Sequence, residues 1–489
     1  MKVKRIMPDQ KKIGLSPLYI HTLAACLFGL LTLAPVAQAQ DYQSQMQATS
    51  EQLGSQKEVL SKISARPLLT IDNGRNGFPQ FGIQGMELPF FDYRQNQDKV
   101  AKAFELMARA GIQSVRTAAS TWHRLSDNAN NFTELDFVVN NGSKYGMGYL
   151  FIVGYPPAKF NVSPATLSTF RPDKESSFRI YLNRVFTRYQ GKVIATEVGN
   201  EVDAVNSWWR GATPELYVRD CRIVKEEATK VDPAIKVMAF AATAAREPSK
   251  DLRMQSLGRD FIRKSFAAGI DKYIDAYSLH YTWKMSERLI DFFNSAMASA
   301  GANKPLITSE DTAYGRPSEV IKLFARDFYL RGLQSVYYYL ARDYFEDGKL
   351  RYVGLFDINW NPKLRLLAYA AAVDAMKGSQ LVGMASPARN IEAYVLKRPS
   401  SASPAGANFS IVIWKNSDDP DDEGVPAAAG PSAATVGGLK DVVAANNWKL
   451  DSISLTKSTS QLSVTTDPVI VYTKSLPAWK LISPQNWSF

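Results

Sequence analysis

Between residues 193 and 241 three blocks follow one another: Val193-Ile194-Ala195-Thr196-Glu197-Val198-Gly199, closed by Asn200-Glu201; Pro214 through Val231; and Ile235-Lys236-Val237-Met238-Ala239-Phe240-Ala241. The first and third are short apolar or β-branched runs of the length of a buried strand. The middle block spaces its apolar residues at helical intervals and opens on Pro214, a residue suited to an early helical position. Strand, helix, strand is the unit from which parallel sheets are built.

The alternation extends in both directions. Strands are predicted over 80–86, 113–118, 148–154, 193–199, 235–241, 274–280, 305–310 and 335–340. Gln97–Ala110 predicts a helix, because Val100, Phe104, Met107 and Ala108 recur at three and four residues. Eight strands with crossover helices amount to the roughly 250 residues or more of a (β/α)8 barrel. A doubly wound open sheet is the alternative. Against it, no glycine-rich phosphate fingerprint follows the first strand and no GxxxxGK[ST] occurs.

After a helix over 363–376 the pattern changes to short alternating strands near 392–396, 409–414 and 469–472. Pro/Ser/Gly/Ala-rich loops (399–407) and a low-complexity stretch (416–438) separate them, which predicts a small β-sandwich appended to the barrel. At the other end, Lys2, Lys4, Arg5, Lys11 and Lys12 precede an apolar run from Leu23 to Val36 and the small-residue site Ala37-Gln38-Ala39. That order predicts a secretory signal peptide cut after Ala39, and a secreted or periplasmic protein without a membrane anchor. A lipoprotein site at Cys26 is the rival; its hydrophobic run would have to precede Cys26, and here it mostly follows. The expected divisions are a signal peptide at 1–39, a polar leader at 40–76, the barrel at 77–378 and the β-sandwich at 379–489.

The 489 residues are 45% hydrophobic and 21% charged, enough apolar material for more than one core. The formal charge of +11 comes without a basic run interleaved with aromatics, so nucleic acid is not an expected partner. Two cysteines and three histidines (His21, His123, His280) exclude a disulfide framework and a multi-histidine metal site. Cys221 reads as a packed helix residue rather than a nucleophile.

In a barrel of this kind the chemistry sits at the C-terminal ends of the strands. Two acids stand there: Glu201, just after the fourth strand, and Glu310, closing the seventh. Hydrolysis of an acetal needs one carboxylic acid to protonate the leaving oxygen and a second carboxylate to attack or to support the developing charge at the sugar carbon. Asp311 competes with Glu310 for the second role, but alternation along a strand points it the other way. Glu197 reads as a buried acid paired to an arginine, and His123 as a surface residue. Trp122, Tyr155, Trp208, Trp209, Tyr281, Trp283 and Trp360 lie near strand ends, where flat rings could pack on sugar faces. Trp208-Trp209 is the leading pair.

Asn200-Glu201 and Glu310, with Arg116 in Ser114-Val115-Arg116 and His280-Tyr281 after Ser278-Leu279, resemble the motifs of clan A glycoside hydrolases. Gly354-Leu355-Phe356-Asp357 followed by Pro362-Lys363 is similar to family 39, which includes β-xylosidases and exopolysaccharide endoglycosidases. Gly199 and Val202 depart from the clan's commoner Trp and Pro around the Asn-Glu pair. The resemblance covers roughly residues 78 to 480. It implies retaining hydrolysis of a polysaccharide or oligosaccharide without a cofactor or metal, Glu201 serving as acid/base and Glu310 as nucleophile. It further implies substrate contacts from Asn200, which would donate to the sugar's 2-hydroxyl, and from Arg116, His280 and Tyr281; Trp208, Trp209 and Trp283 join them as expected contacts on their place near the strand ends. The alternative is a non-catalytic carbohydrate-binding or matrix protein on such a barrel. A serine hydrolase is disfavoured because no G-x-S-x-G elbow occurs.

Overall fold

The structure is a computed structural model that describes residues 56–68, 77–86, 96–126, 130–163, 168–204, 213–243, 245, 252–281, 287–346, 348–402, 404, 406–416, 433–454 and 461–484. The expected signal peptide, most of the polar leader, most of the low-complexity stretch, and Trp208, Trp209 and Trp283 lie outside the described residues.

A helix, α1 (Gln56–Ser64), precedes the barrel. Then come β1 (Phe81–Gln84), α2 (Gln97–Ala110), β2 (Ser114–Thr117), α3 (Thr133–Ser143), β3 (Gly148–Val153), α4 (Glu175–Arg188) and β4 (Val193–Val198). The second half runs α5 (Pro214–Val231), β5 (Lys236–Ala242), α6 (Leu252–Ala267), β6 (Ala276–His280), α7 (Glu287–Ser299), β7 (Leu306–Asp311), α8 (Glu319–Ala325) and β8 (Val336–Tyr338). Every neighbouring pair is parallel, and β8 pairs back with β1 to close an eight-stranded barrel. The open sheet is thereby excluded.

The predicted periodicities account for these elements. The α2 stripe Val100, Phe104, Met107 and Ala108 is buried, and the helix stops at Gly111, whose φ of 92° suits a left-handed cap. In α5 the side chain of Thr213 accepts from the Leu216 amide ahead of Pro214, and Cys221 is buried on the inner face. Burial pushes the Cys221 thiol well up, as befits a packing residue. Inside the barrel, nearer the strand N-termini, Leu150, Ile194, Met238, Ala276, Ile307 and Tyr337 form an apolar plug. Gly82 makes room for it: a Cβ there would meet the Tyr337 ring at 2.3 Å.

A hairpin of β9 (Tyr344–Glu346) and β10 (Lys349–Arg351) follows the last barrel strand, and α9 (Leu364–Met376) completes the helical ring. The remaining strands are β11 (Gln380–Ala385), β12 (Ile391–Lys397), β13 (Phe409–Lys415), β14 (Ala434–Val436), β15 (Val442–Asn447), β16 (Leu462–Val464) and β17 (Val469–Thr473). Five of them form an antiparallel sheet in the order β11-β12-β13-β17-β15, and β14 pairs with β16 as a ribbon. Alternation gives this sheet two buried faces. Ile391, Ala393, Val395, Ile411, Ile413 and Val471 pack with Val436, Leu462 and Val464 of the ribbon. Tyr394, Leu396, Val412, Trp414 and Tyr472 join the barrel's core instead. Buried Glu392 receives Arg326 Nη2 at 2.7 Å, and Ser410 donates to the Ala375 carbonyl of α9 at 2.7 Å.

The α1 helix belongs to this body. Val59 and Ile63 are fully buried, Lys62 pairs with Asp451 beyond β15, and Arg66 forks onto Asp374 of α9 at 2.6 and 2.7 Å.

Candidate active site

Four strands deliver the side chains. Arg116 comes from β2, Glu197 from β4, His280 closes β6, and β7 supplies Ser309 and Glu310. Pairing between β6 and β7 slips between Leu279 and His280, which brings His280 directly opposite Glu310. Past β4 the chain turns through Gly199, Asn200 and Glu201, and Glu201 adopts a left-handed φ of 51°.

Arg116, wholly buried, organises the group. Its Nε donates to Glu197 Oε2 at 2.7 Å, its Nη1 to Glu310 Oε1 at 2.5 Å and its Nη2 to Asn200 Oδ1 at 2.6 Å, while Nη2 also meets Glu197. Burial opposes its charge, but Glu197 and Glu310 outweigh that and raise the guanidinium above its ordinary range. Glu197 is fully buried and paired to Arg116, the structural role expected of it. With Oδ1 turned to Arg116, the Asn200 amide has Nδ2 as its remaining donor end.

His280 stands between the two strand-end glutamates. Its Nδ1 lies 3.1 Å from Glu201 Oε1 and 3.6 Å from Glu310 Oε2, and its Nε2 faces Ser309 Oγ at 3.1 Å and Arg116 Nη2 at 3.5 Å. A guanidinium can only donate, so Nε2 is the accepting nitrogen and Nδ1 carries the proton toward Glu201. Tyr281 donates its hydroxyl to Glu310 Oε2 at 3.1 Å, and burial pushes that phenol's pKa well up, so it stays a donor. Glu310 thus receives a donor on each oxygen. One oxygen each of Glu201 and Glu310 and one nitrogen of His280 lie within 4.8 Å of one another. Such a trio is also a possible donor set for a cation, but Arg116 and Tyr281 already engage both Glu310 oxygens. The Glu201 side chain is 15% exposed and that of Glu310 9%, against 0% for Arg116 and His280.

The expected residues Arg116, Asn200, Glu201, His280, Tyr281 and Glu310 therefore meet at one place at the C-terminal mouth. Asp311 is buried, its Oδ1 accepting from the Thr312 amide at 2.8 Å. The aromatics divide. Trp122 is core, stacked on Tyr181 at 5.4 Å and flanked by Phe160, Phe170 and Phe178. Trp360 is 4% exposed, below the Arg342 guanidinium. His123 is not a surface histidine: it is half-buried, and burial lowers its pKa to about 4. Trp122 draws it in by packing among the rings beneath.

Two contributors were not legible from residue type. Ser309 adds a hydroxyl partner to His280 Nε2, at 3.1 Å, although it alternates away from Glu310 along the strand. Tyr155, noted only as a ring near a strand end, puts its hydroxyl on both backbone groups of Asn200.

No protein-family profile matches the chain, and no curated sequence does. Solved structures do. A family 39 glycoside hydrolase from the gut symbiont Bacteroides cellulosilyticus WH2 matches with a TM-score of 0.60 at 14% identity, over 81% of each chain. A family 30 endoxylanase from Clostridium papyrosolvens C71 matches at 0.55 and 14%, over 83% of this chain and 97% of its own. A monomeric β-xylosidase from Caulobacter crescentus CB15 matches at 0.55 and 13%, over 83% and 96%. This chain has their fold. The likeness takes in the barrel and the trailing sheet together.

Proposed function

We propose that this chain is a retaining glycoside hydrolase that cleaves glycosidic bonds in a polysaccharide or oligosaccharide, exported through the N-terminal segment 1–39. The observation that carries the reading is the approach of Glu201, from the turn after β4, and Glu310, from β7, to within 4.8 Å between carboxylate oxygens. Retaining enzymes hold their two carboxyl groups about 5 to 5.5 Å apart, whereas inverting ones leave about 6.5 to 9.5 Å for a water. Structures sharing this fold include a xylanase and a xylosidase, which supports a carbohydrate substrate.

In this reading Glu310, oriented by Arg116 and Tyr281, attacks the anomeric carbon as Glu201 passes its proton to the departing oxygen. A glycosyl ester on Glu310 results, and Glu201, now a base, takes a proton from the water that hydrolyses it. Asn200 donates from Nδ2 to the sugar's 2-hydroxyl, a bond that tightens in the transition state. Every proton and charge in the sequence is handled by these side chains.

The test is a panel of aryl glycosides with wild type and Glu310→Ala. Wild type turns over at least one member with net retention, Glu310→Ala loses about 10⁴-fold or more, and azide restores part of it as the α- or β-azide opposite in configuration to the wild-type product. A wild type inert on every member and on polysaccharides it nevertheless binds leaves the non-catalytic binding protein as the better description.

A further inference from the structure

Trp122-His123 and Tyr155, noted in the sequence as residues near strand ends, have no place in the mechanism above. Their contacts lead to it. Tyr155 lies beyond β3 with a left-handed φ of 51°, directly after Gly154 at 103°. Non-glycine residues rarely hold that conformation unless the surroundings impose it. The imposition is visible: the Trp122 amide donates to the Gly154 carbonyl at 3.0 Å, and the His123 amide to the Tyr155 carbonyl at 3.0 Å. The His123 ring adds a third hold, Nδ1 lying 3.1 Å from the same Tyr155 carbonyl. A carbonyl only accepts, so Nδ1 carries the proton there, and a ring kept neutral by burial leaves that arrangement unchanged through ordinary working pH.

From this anchored backbone the Tyr155 ring reaches across to the turn after β4. Its hydroxyl accepts from the Asn200 amide at 2.7 Å and donates to the Asn200 carbonyl. One oxygen thus clamps both backbone groups of the residue immediately before Glu201. Burial raises the phenol far above its ordinary range, so the proton needed for the second bond is always present. On the opposite side the turn is held by Val202, whose amide donates to the Phe240 carbonyl at 3.2 Å, and by Tyr217, which donates to the Val198 carbonyl at 3.0 Å. The Asn200 side and the Glu201 carboxyl lie between these two fixings, and only the Tyr155 one touches Asn200's own peptide groups.

We propose that Tyr155, fastened by His123, is the positioning residue for the turn that carries Glu201: it holds the acid/base carboxyl where it meets the leaving oxygen, while the Asn200 side chain keeps its own hold on Arg116 and Glu310 is untouched. The proposal rests on Glu201 being the general acid. A displacement of about 1 Å at such a group costs on the order of 10²-fold in rate, and the loss must fall on the proton-transfer step alone.

The experiment uses Tyr155→Phe, whose ring fills the same space, on the phenyl and dinitrophenyl glycosides of the sugar that wild type hydrolyses fastest. Departure of phenol needs a proton; dinitrophenolate leaves without one. Glycosylation of the enzyme by the phenyl glycoside is expected to slow about 10²-fold, with little change for the dinitrophenyl glycoside. His123→Leu, which deletes the ring donor, follows the same pattern more weakly, and His123→Asn, which keeps a side-chain donor, recovers part of it. Equal losses on both glycosides in Tyr155→Phe, or none on either, overturn the proposal, because a merely structural role moves both together. Glu201→Gln is measured alongside. If it too is indifferent to the leaving group, the acid/base reading falls and takes the proposal with it; if it is selective while Tyr155→Phe is not, the proposal alone falls.

Discussion

The same strands build two opposite ends of one barrel. Near their N-termini, Leu150, Ile194, Met238, Ala276, Ile307 and Tyr337 close an apolar plug. A few residues further along, Arg116, Glu197 and Glu310 fill the mouth with buried charge. Area burial makes the first end a net source of stability. The second gains little by its burial, since desolvating several ions consumes most of what their pairing returns. The contrast separates what keeps the barrel folded from what gives it chemistry, over a distance of three or four residues per strand.

Charge removal at the mouth gives the largest expected effect. Arg116→Met leaves Glu197 and Glu310 facing each other without their cation, and loss of one partner from a buried pair costs about 3 to 5 kcal/mol. Denaturant unfolding should show that loss together with abolished turnover. A folded, active Arg116→Met would mean the mouth is not organised around this residue.

At the plug the expectation reverses. Met238→Ala opens a cavity costing about 2 to 5 kcal/mol, read as a lowered urea midpoint, while kcat on the best aryl glycoside stays within about twofold. A fall in kcat matching the stability loss would show that the two ends are mechanically coupled.

Smaller still is a pH effect confined to the wall of the mouth. His123 has a folded pKa of about 4 against an ordinary 6.5. Above pH 6.5 it is neutral in both states and its contribution is complete. As the pH falls toward 4 the unfolded chain takes up the proton first, so stability declines, by at most about 3 kcal/mol. His123→Leu should flatten that part of the stability profile in urea titrations between those pH values. An unchanged slope would place its origin elsewhere.

Much of the barrel was readable because its strands are buried on both faces and so appear as uninterrupted apolar runs: 193–199 was expected where Val193–Val198 forms, and 148–154 where Gly148–Val153 does. Glu201 and Glu310 were found by asking what closes each strand; Arg116, Asn200, His280 and Tyr281 came from the resemblance to clan A glycoside hydrolases. Their partners were not readable. Which donor meets which acceptor across the mouth depends on strand register, and the slip that sets His280 against Glu310, or the left-handed turn that aims Tyr155, leaves no periodic trace. His123 misled for a related reason: the residue itself is polar, and its burial follows from the aromatic nest around its neighbour Trp122.

The last barrel helix has a history as well as a place. Nearly every residue of α9 is buried, because the barrel covers one side and the antiparallel sheet the other. A chain made from its N-terminus releases α9 roughly 90 residues ahead of β17. Until the sheet docks, the barrel carries an uncovered apolar flank, so a chain truncated after Met376 should aggregate rather than give a smaller folded protein.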